Sequence, residues 1–263
     1  MTSVPGARSG ALVTGANLAM LQVMNEADLS LFAHVVGRPD AHVDLAQAAL
    51  MIAEGEYPGL DIPSYMAALD RFAARVRRAL AQAPADPPMA TVLRVLYGDL
   101  GFRGNSDDYY DPRNSFLNDV LDRRTGIPIT LGVVLIEVCR RVGVEARGVS
   151  YPGHFLVRSP TPGGAVFIDP FEGVPLDESD LQALYQRATG DDGPIDPRRL
   201  EPATRKQILL RMLNNLRGVY ETRADQRRLQ DVLMRMSVLA PSDGQDARRD
   251  ADGPTPPELV PLN

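Results

Sequence analysis

Apolar residues recur at helical spacing through the first hundred positions and at a spacing of two further on, so the chain reads as helices, then a small sheet, then helices. Asp28–Val36 is the first helical segment. Asp40–Gly55 follows, with Asp40 as the expected cap and Val43, Ala46, Leu50 and Ile52 as its stripe. Pro58 and Pro63 punctuate, and Ser64 opens an amphipathic helix to about Ala83 through Leu69, Phe72, Val76 and Leu80, with arginines opposite. Three prolines separate it from a helix over Met89–Leu100. After the polar loop Gly101–Asp111, Asp111 caps a helix that starts at Pro112, runs to about Arg124 and stops at Gly126. Pro128 starts the next helix, which ends at Gly143.

The period then becomes two. Glu145–Ser150, Phe155–Arg158 and Ala165–Asp169 read as strands, split by Pro152-Gly153 and Pro162-Gly163-Gly164. A short helix over Asp177–Thr189 and a Gly/Asp/Pro linker lead to two final helices, Ala203–Thr222 and Asp225–Leu239. This order predicts an α+β fold: a helical N-terminal region, a helix packed on a small antiparallel sheet, and a C-terminal helical hairpin. The expected division is a flexible 1–15, a domain over 16–190, a hairpin over 198–241 and a disordered acidic, Pro-rich tail over 242–263.

Composition narrows the chemistry. The 44% hydrophobic and 24% charged residues are those of a globular protein, and no window is apolar for the length of a membrane span. Ala11–Met24 is mildly apolar, interrupted by Thr14, Asn17 and Gln22, and reads as a helix lead-in, not a signal peptide. One cysteine, Cys139, excludes a disulfide framework and a cysteine-based zinc site, and makes the cytoplasm the expected compartment. A net charge of −6 argues against a general nucleic-acid binder. Lys206 is the only lysine among 28 basic residues, a composition bias with little functional content. His34 and His42 stand alone, and Asp107, Asp108 and Asp111 match no calcium loop, so neither a metal nor a cofactor is expected.

Three ordered motifs carry more information: YDPRNSFLNDVLDRRTGIPITL over Tyr110–Leu131, YPGHFLVR over Tyr151–Arg158 and FIDPF over Phe167–Phe171. Together they resemble the signature of SirB-type proteins with a transglutaminase-like, papain-related core, across about residues 25–240. The resemblance implies a nucleophilic cysteine at a helix N-terminus, a histidine on one strand and an aspartate on the next. In such a triad the helix end lowers the thiol pKa, the histidine takes its proton and the carboxylate fixes the histidine tautomer. His154 and Asp169 match the family positions. The cysteine slot falls on Pro128, which has no nucleophile, and Cys139 lies about 16 Å further along the same helix at 1.5 Å per residue. Cys139 is expected to be a packing residue.

The remaining candidates have local readings. Thr130 is the hydroxyl nearest the vacant slot; internal threonines are rarely activated, so capping and packing are its expected roles ahead of nucleophilic attack. Asn114 and Asn118, four apart on one helical face, with Arg124 beyond and Arg158 on a strand, either line a peptide groove or tie helix to sheet. Glu137 sits in an apolar helix and pairs with a nearby arginine. The C-terminal pair resembles one tetratricopeptide-like hairpin through Leu213, Leu216, Tyr220, Leu229 and Val232, a unit that needs an external surface to cover its apolar face. Between Pro197 and Arg235 ten basic residues face four acidic ones, a net of +6 that reads as a solvated arginine face or a site for an acidic partner. The expected function is non-catalytic protein binding. Its rivals are acyl transfer or hydrolysis through His154 and Asp169 without a cysteine, and regulation through nucleic acid, the weakest of the three.

Overall fold

The computed structural model describes residues 27–239, so the expected flexible N-terminus, the helix lead-in and the acidic tail lie outside the described residues. Helix α1 covers 27–36, and α2 (Leu45–Glu54) and α3 (Ile62–Gln82) follow. α4 (Pro88–Leu93) runs into a π-helical turn over Arg94–Asp99. Strand β1 (Arg103–Gly104), helix α5 (Leu117–Arg123) and strand β2 (Thr125–Gly126) precede α6 (Pro128–Val142). Then come β3 (Arg147–Tyr151), β4 (His154–Thr161), β5 (Gly164–Asp169), β6 (Val174–Leu176), α7 (Glu178–Thr189), α8 (Arg205–Thr222) and α9 (Gln226–Leu239). Strands β3–β6 form an antiparallel meander in chain order, and β1 and β2 make a two-residue parallel pair. The fold is α+β, as the periodicities predict.

The centre is α6. Its first 12 residues are all buried, as a helix apolar all round must be. Helices α2, α3, α5 and α8 and strands β3 and β4 pack around it. Two glycines let it approach the sheet: a Cβ on Gly132 of α6 would meet the Phe155 ring at 2.5 Å, and one on Gly148 of β3 would meet the same ring at 2.5 Å. Phe155 therefore fills a slot between helix and strand that side chains would close. Alternation on the sheet sends Phe155, Val157 and Ile168 into this main core, while Val149, Tyr151 and Leu156 join Leu181 and Tyr185 of α7 in a second core.

Several local expectations are corrected. Asp40 does not cap the second helix; Asp44 does, accepting from Gln47 N, because a 3-10 turn over Asp40–His42 intervenes. Asp40 instead accepts the backbone N–H groups of Arg205 and Lys206, at 3.1 and 3.0 Å, at the start of α8. The helix expected over Pro112–Arg124 is broken into a 3-10 turn, Pro112–Asn114, and α5. Phe116 between them is extended, with its ring buried edge-on against Tyr57. α5 ends at Arg124 in the left-handed region, φ 60°, ahead of the expected Gly126. Strands β1, β2 and β6 were too short to be marked by any alternation.

Helices α8 and α9 cover the core directly. Leu213, Leu216, Tyr220 and Val232 lie in the same buried cluster as α6, with Leu229 packed against it. The +6 stripe divides: Arg198, Arg199, Arg223 and Arg227 are exposed, while four others are tied into the fold. Arg205 donates to the carbonyls of Ala41 and Val43, Arg228 pairs with Glu56 and Asp225, Arg235 is buried beside Asp231, and Arg211 reaches into the sheet. Among the described residues no helix is long and apolar enough to cross a membrane.

Because α8 supplies six buried residues to the main core, a chain cut after Pro197 exposes the apolar surface they cover. Residues 1–197 are expected to self-associate in analytical ultracentrifugation and to melt well below the full chain. A monomeric fragment of full stability would show that the helical pair is dispensable.

Candidate functional site

The turn Tyr151–His154 fixes one half of the site. Gly153 holds φ 63° there, so His154 emerges as the first residue of β4 opposite Tyr151. Asp169 ends β5, and its neighbour Ile168 pairs with Val157. His154 Nε2 meets Asp169 Oδ1 at 2.9 Å, and Nδ1 makes no hydrogen bond among the described residues. The same Oδ1 accepts the Phe171 N–H at 2.7 Å. Burial by itself pushes the Asp169 carboxyl up. The His154 hydrogen bond and charge, with the N–H groups of Phe171 and Glu172, outweigh it and hold the carboxyl below its ordinary value.

The other half is the start of α6. Pro128 is buried at the first helical position, and Gly132, one turn on, packs against Phe155 and Pro170, the chain neighbours of His154 and Asp169. The first turns of α6 thus run beside the ends of β4 and β5, with Pro128 one turn before the Gly132 contact. Thr130 is fully buried: its hydroxyl donates to Asn114 O at 2.6 Å and accepts from Ile127 N, which caps the helix and leaves no free nucleophile. Cys139 is fully buried on a later turn, and burial pushes its thiol up to about 12.

The other sequence candidates separate. Asn114 belongs to the site's frame: its amide donates to Asp108 O and Tyr109 O, at 2.7 and 3.1 Å, and its oxygen accepts from Asn105. This fastens the loop that carries Tyr109 against Phe171, ring centroids 6.0 Å apart. Asn118 does not share a helical face with Asn114, since the helix is broken between them; it is buried on α5, with an oxygen that has no protein partner. Arg124 stacks its guanidinium over Phe72, 4.3 Å from the centroid, as part of the core wall. Arg158 stands opposite Arg147 on the sheet, beside Glu145, Pro160 and Pro202, about 13 Å from His154 along β4. Glu137 is buried and paired with Arg140 and Arg141, and Arg141 also reaches Asp70 of α3 at 2.8 Å. No cluster of metal-ligating side chains occurs among the described residues.

Sequence reasoning missed four contributors: Asn105, Tyr109, Phe171 and Arg211. Arg211 donates to Tyr151 O at 3.2 Å and to His154 O at 2.6 Å, clamping the turn that presents the histidine. The one signal for it was its place beside Ile208 and Met212 on the buried stripe of α8. The exposed Tyr109-Tyr110 pair in a polar loop was a signal for the aromatic rim.

The family profile described as the transglutaminase-like superfamily matches residues 63–214, a span that includes Pro128, His154, Asp169 and Arg211. Among curated proteins, a UPF0162 protein of Xylella fastidiosa strain Temecula1 is 42% identical over 197 residues, covering 73% of this chain and 70% of that protein. Its counterpart in strain 9a5c is 44% identical over 186 residues, 69% of this chain and 66% of that one. Mouse F-box only protein 21 is 40% identical over 83 residues, which is 32% of this chain and 13% of the mouse protein. No solved structure matches.

Two outcomes test this geometry. Cys139 should react with iodoacetamide at neutral pH only on the timescale of unfolding, and Cys139→Ala should cost about 1–2 kcal/mol; fast native alkylation would place the thiol wrongly. Asp169 titrates below its unfolded value, so it adds stability that is complete above about pH 4 and is lost as the pH falls through its folded value. Asp169→Asn should therefore be less stable than wild type by about 1–3 kcal/mol at neutral pH. In urea titrations that gap should narrow steadily below about pH 4, and a gap unchanged down to about pH 2 would contradict the assignment.

Proposed function

The chain belongs to the transglutaminase-like superfamily, and we propose that it keeps the superfamily's groove without its thiol chemistry and acts by binding a protein segment there. One observation carries this reading. The first turn of α6 presents buried Pro128 at the position where the resemblance puts the cysteine, while Cys139 is sealed several turns away. The thiol route of acyl transfer needs a thiolate within reach of the histidine, and neither residue supplies one. What remains is a rigid frame with an aromatic rim, Tyr109 and Tyr110, whose rings are 37% and 48% exposed residues. Such half-exposed aromatics suit protein contacts, since they give large contact area for little lost side-chain freedom. Within the superfamily the three ordered motifs favour a SirB-type protein. The single cysteine fits a cytoplasmic setting, with α8 and α9 as a tetratricopeptide-like appendage docked on the core.

A second reading has one observation in its favour. His154 keeps Nε2 on Asp169 and leaves Nδ1 uncommitted, the arrangement of a general base. Activated water or another non-cysteine nucleophile would then serve an acyl-transfer or hydrolytic enzyme.

The two readings part on turnover and on where a partner touches. A photo-crosslinking benzoylphenylalanine in place of Tyr110 should give a discrete protein adduct in native extract, whereas the same probe at exposed Leu31 should not. Release of ammonia from a glutamine-containing peptide by the wild type, abolished by His154→Ala, would overturn the binding reading in favour of the enzymatic one.

A further inference from the structure

We propose that Arg211 is the receptor for a carboxylate carried by the ligand of the groove beside His154 and Asp169. The inference rests on reading that cleft as a binding groove and adds the charge of what it binds.

Arg211 reaches from α8 to the turn between β3 and β4, where Nη1 and Nη2 donate to the carbonyls of Tyr151 and His154. Its guanidinium carbon lies 6.0 Å from the centre of the Phe155 ring. Arg123, Arg141 and Arg235 each meet a carboxylate: Arg123 has Asp111, Arg141 has Glu137 and Asp70, and Arg235 has Asp231. Arg211 has no carboxylate at ion-pair distance among the described residues. The one ionisable side chain whose charge it feels is Tyr109, and burial pushes the guanidinium down to about 10. A desolvated cation held only by carbonyl dipoles is an incomplete ion pair.

The guanidinium is also not closed off. It has five N–H donors, and the two carbonyls take two of them. Arg211 as a residue is only half-buried, and none of its nitrogens is among the buried side-chain atoms without a partner. Its Nε, which makes no hydrogen bond among the described residues, is thus not sealed in the core, and Tyr109 is the ionisable side chain beside the guanidinium. That ring is the shared neighbour, since its hydroxyl feels the charges of both Arg211 and Asp169. The planar fork of a guanidinium matches the two oxygens of a carboxylate. A dianionic phosphate is disfavoured, because the Asp169 carboxylate stands in the same groove. The aromatic rings of Tyr109 and Phe171 provide an apolar wall for the group that carries the carboxylate.

The imidazole of His154 reports on this site, and the chain contains only three histidines. The full chain is titrated with N-acetylglycine, N-acetylglutamic acid α-amide and, as the neutral analogue, N-acetylglycinamide, following the histidine ring resonances by NMR. The acids should shift His154 saturably and the neutral amide at least about tenfold more weakly. Tighter binding of the first acid identifies a chain terminus, of the second an acidic side chain, and either supports the proposal. Arg211→Gln should bring the acids down to the level of the amide with an unchanged far-UV spectrum. If that variant does not fold, the comparison of acid with amide on the wild type decides alone. Equal affinity for acids and amide, or an undiminished response in folded Arg211→Gln, overturns the proposal and leaves the groove standing. No saturable shift with any probe removes the groove and the proposal together.

Discussion

The wedge of Phe155 between Gly132 and Gly148 is the contact on which the rest depends. It sets how closely α6 approaches the sheet, and so how closely the first turn of α6 approaches His154 and Asp169. A helix with any side chain at position 132 would stand off by the width of that group, and Pro170 would lose its neighbour on the same turn. The approach is reinforced from both ends. Thr130 bonds the carbonyl of Asn114, and Arg211 bonds the carbonyls of the turn before Phe155. The site is thus assembled by three different segments, each fastened through backbone acceptors, whose positions vary less than side-chain ones do.

How much of this was legible follows from how local each cause is. The bounds of α6 could be read because Pro128 and Gly143 act within one turn. The broken helix at 112–124 could not. A continuous helix would turn the Asn114 carbonyl to the N–H four residues on, but here it faces Thr130, sixteen residues away in sequence. Phe116 leaves helical geometry to bury its ring near Tyr57, another distant residue. Asp40 failed for a related reason. It caps a helix, as its residue type suggests, but the helix is α8, more than 160 residues on. The motifs located His154, Asp169 and Pro128 because they record spacing that packing has already fixed. Asn105, Tyr109 and Arg211 lie outside the quoted motifs and become visible only once the loop, the sheet and α8 are brought together.

The arginines show where charge counting stops being informative. A net +6 over Pro197–Arg235 suggests an open basic face when each residue is given its average exposure. The fold leaves Arg198, Arg199, Arg223 and Arg227 exposed and uses Arg205, Arg211 and Arg228 to tie the C-terminal helices to the rest of the chain. Arginine is suited to that use: it is less strongly hydrated than lysine and offers donors in a fixed plane. Arg205 holds the carbonyls of Ala41 and Val43, and Arg228 forks onto Glu56. A chain with one lysine among 28 basic residues can make such ties at many positions where a point charge on a flexible stem would do so less well. The composition bias that carried little functional content on its own thereby acquires a structural consequence.

A histidine–aspartate pair without a thiol still has to be accounted for, and Asp169 supplies most of the answer. Its oxygen accepts from the N–H of Phe171 as well as from His154, and its carbonyl accepts the N–H of Gly173. The aspartate therefore fixes the turn that carries Phe171 into contact with Tyr109, whether or not any proton moves. His154 in turn satisfies a buried carboxylate that would otherwise be costly to leave partly paired. Both residues hold that turn and its aromatic contact, and these contacts do not involve position 128. Pro128 stands at the first position of α6, where proline fits the backbone without strain. The pair therefore has a structural use that does not call on a nucleophile at the start of α6.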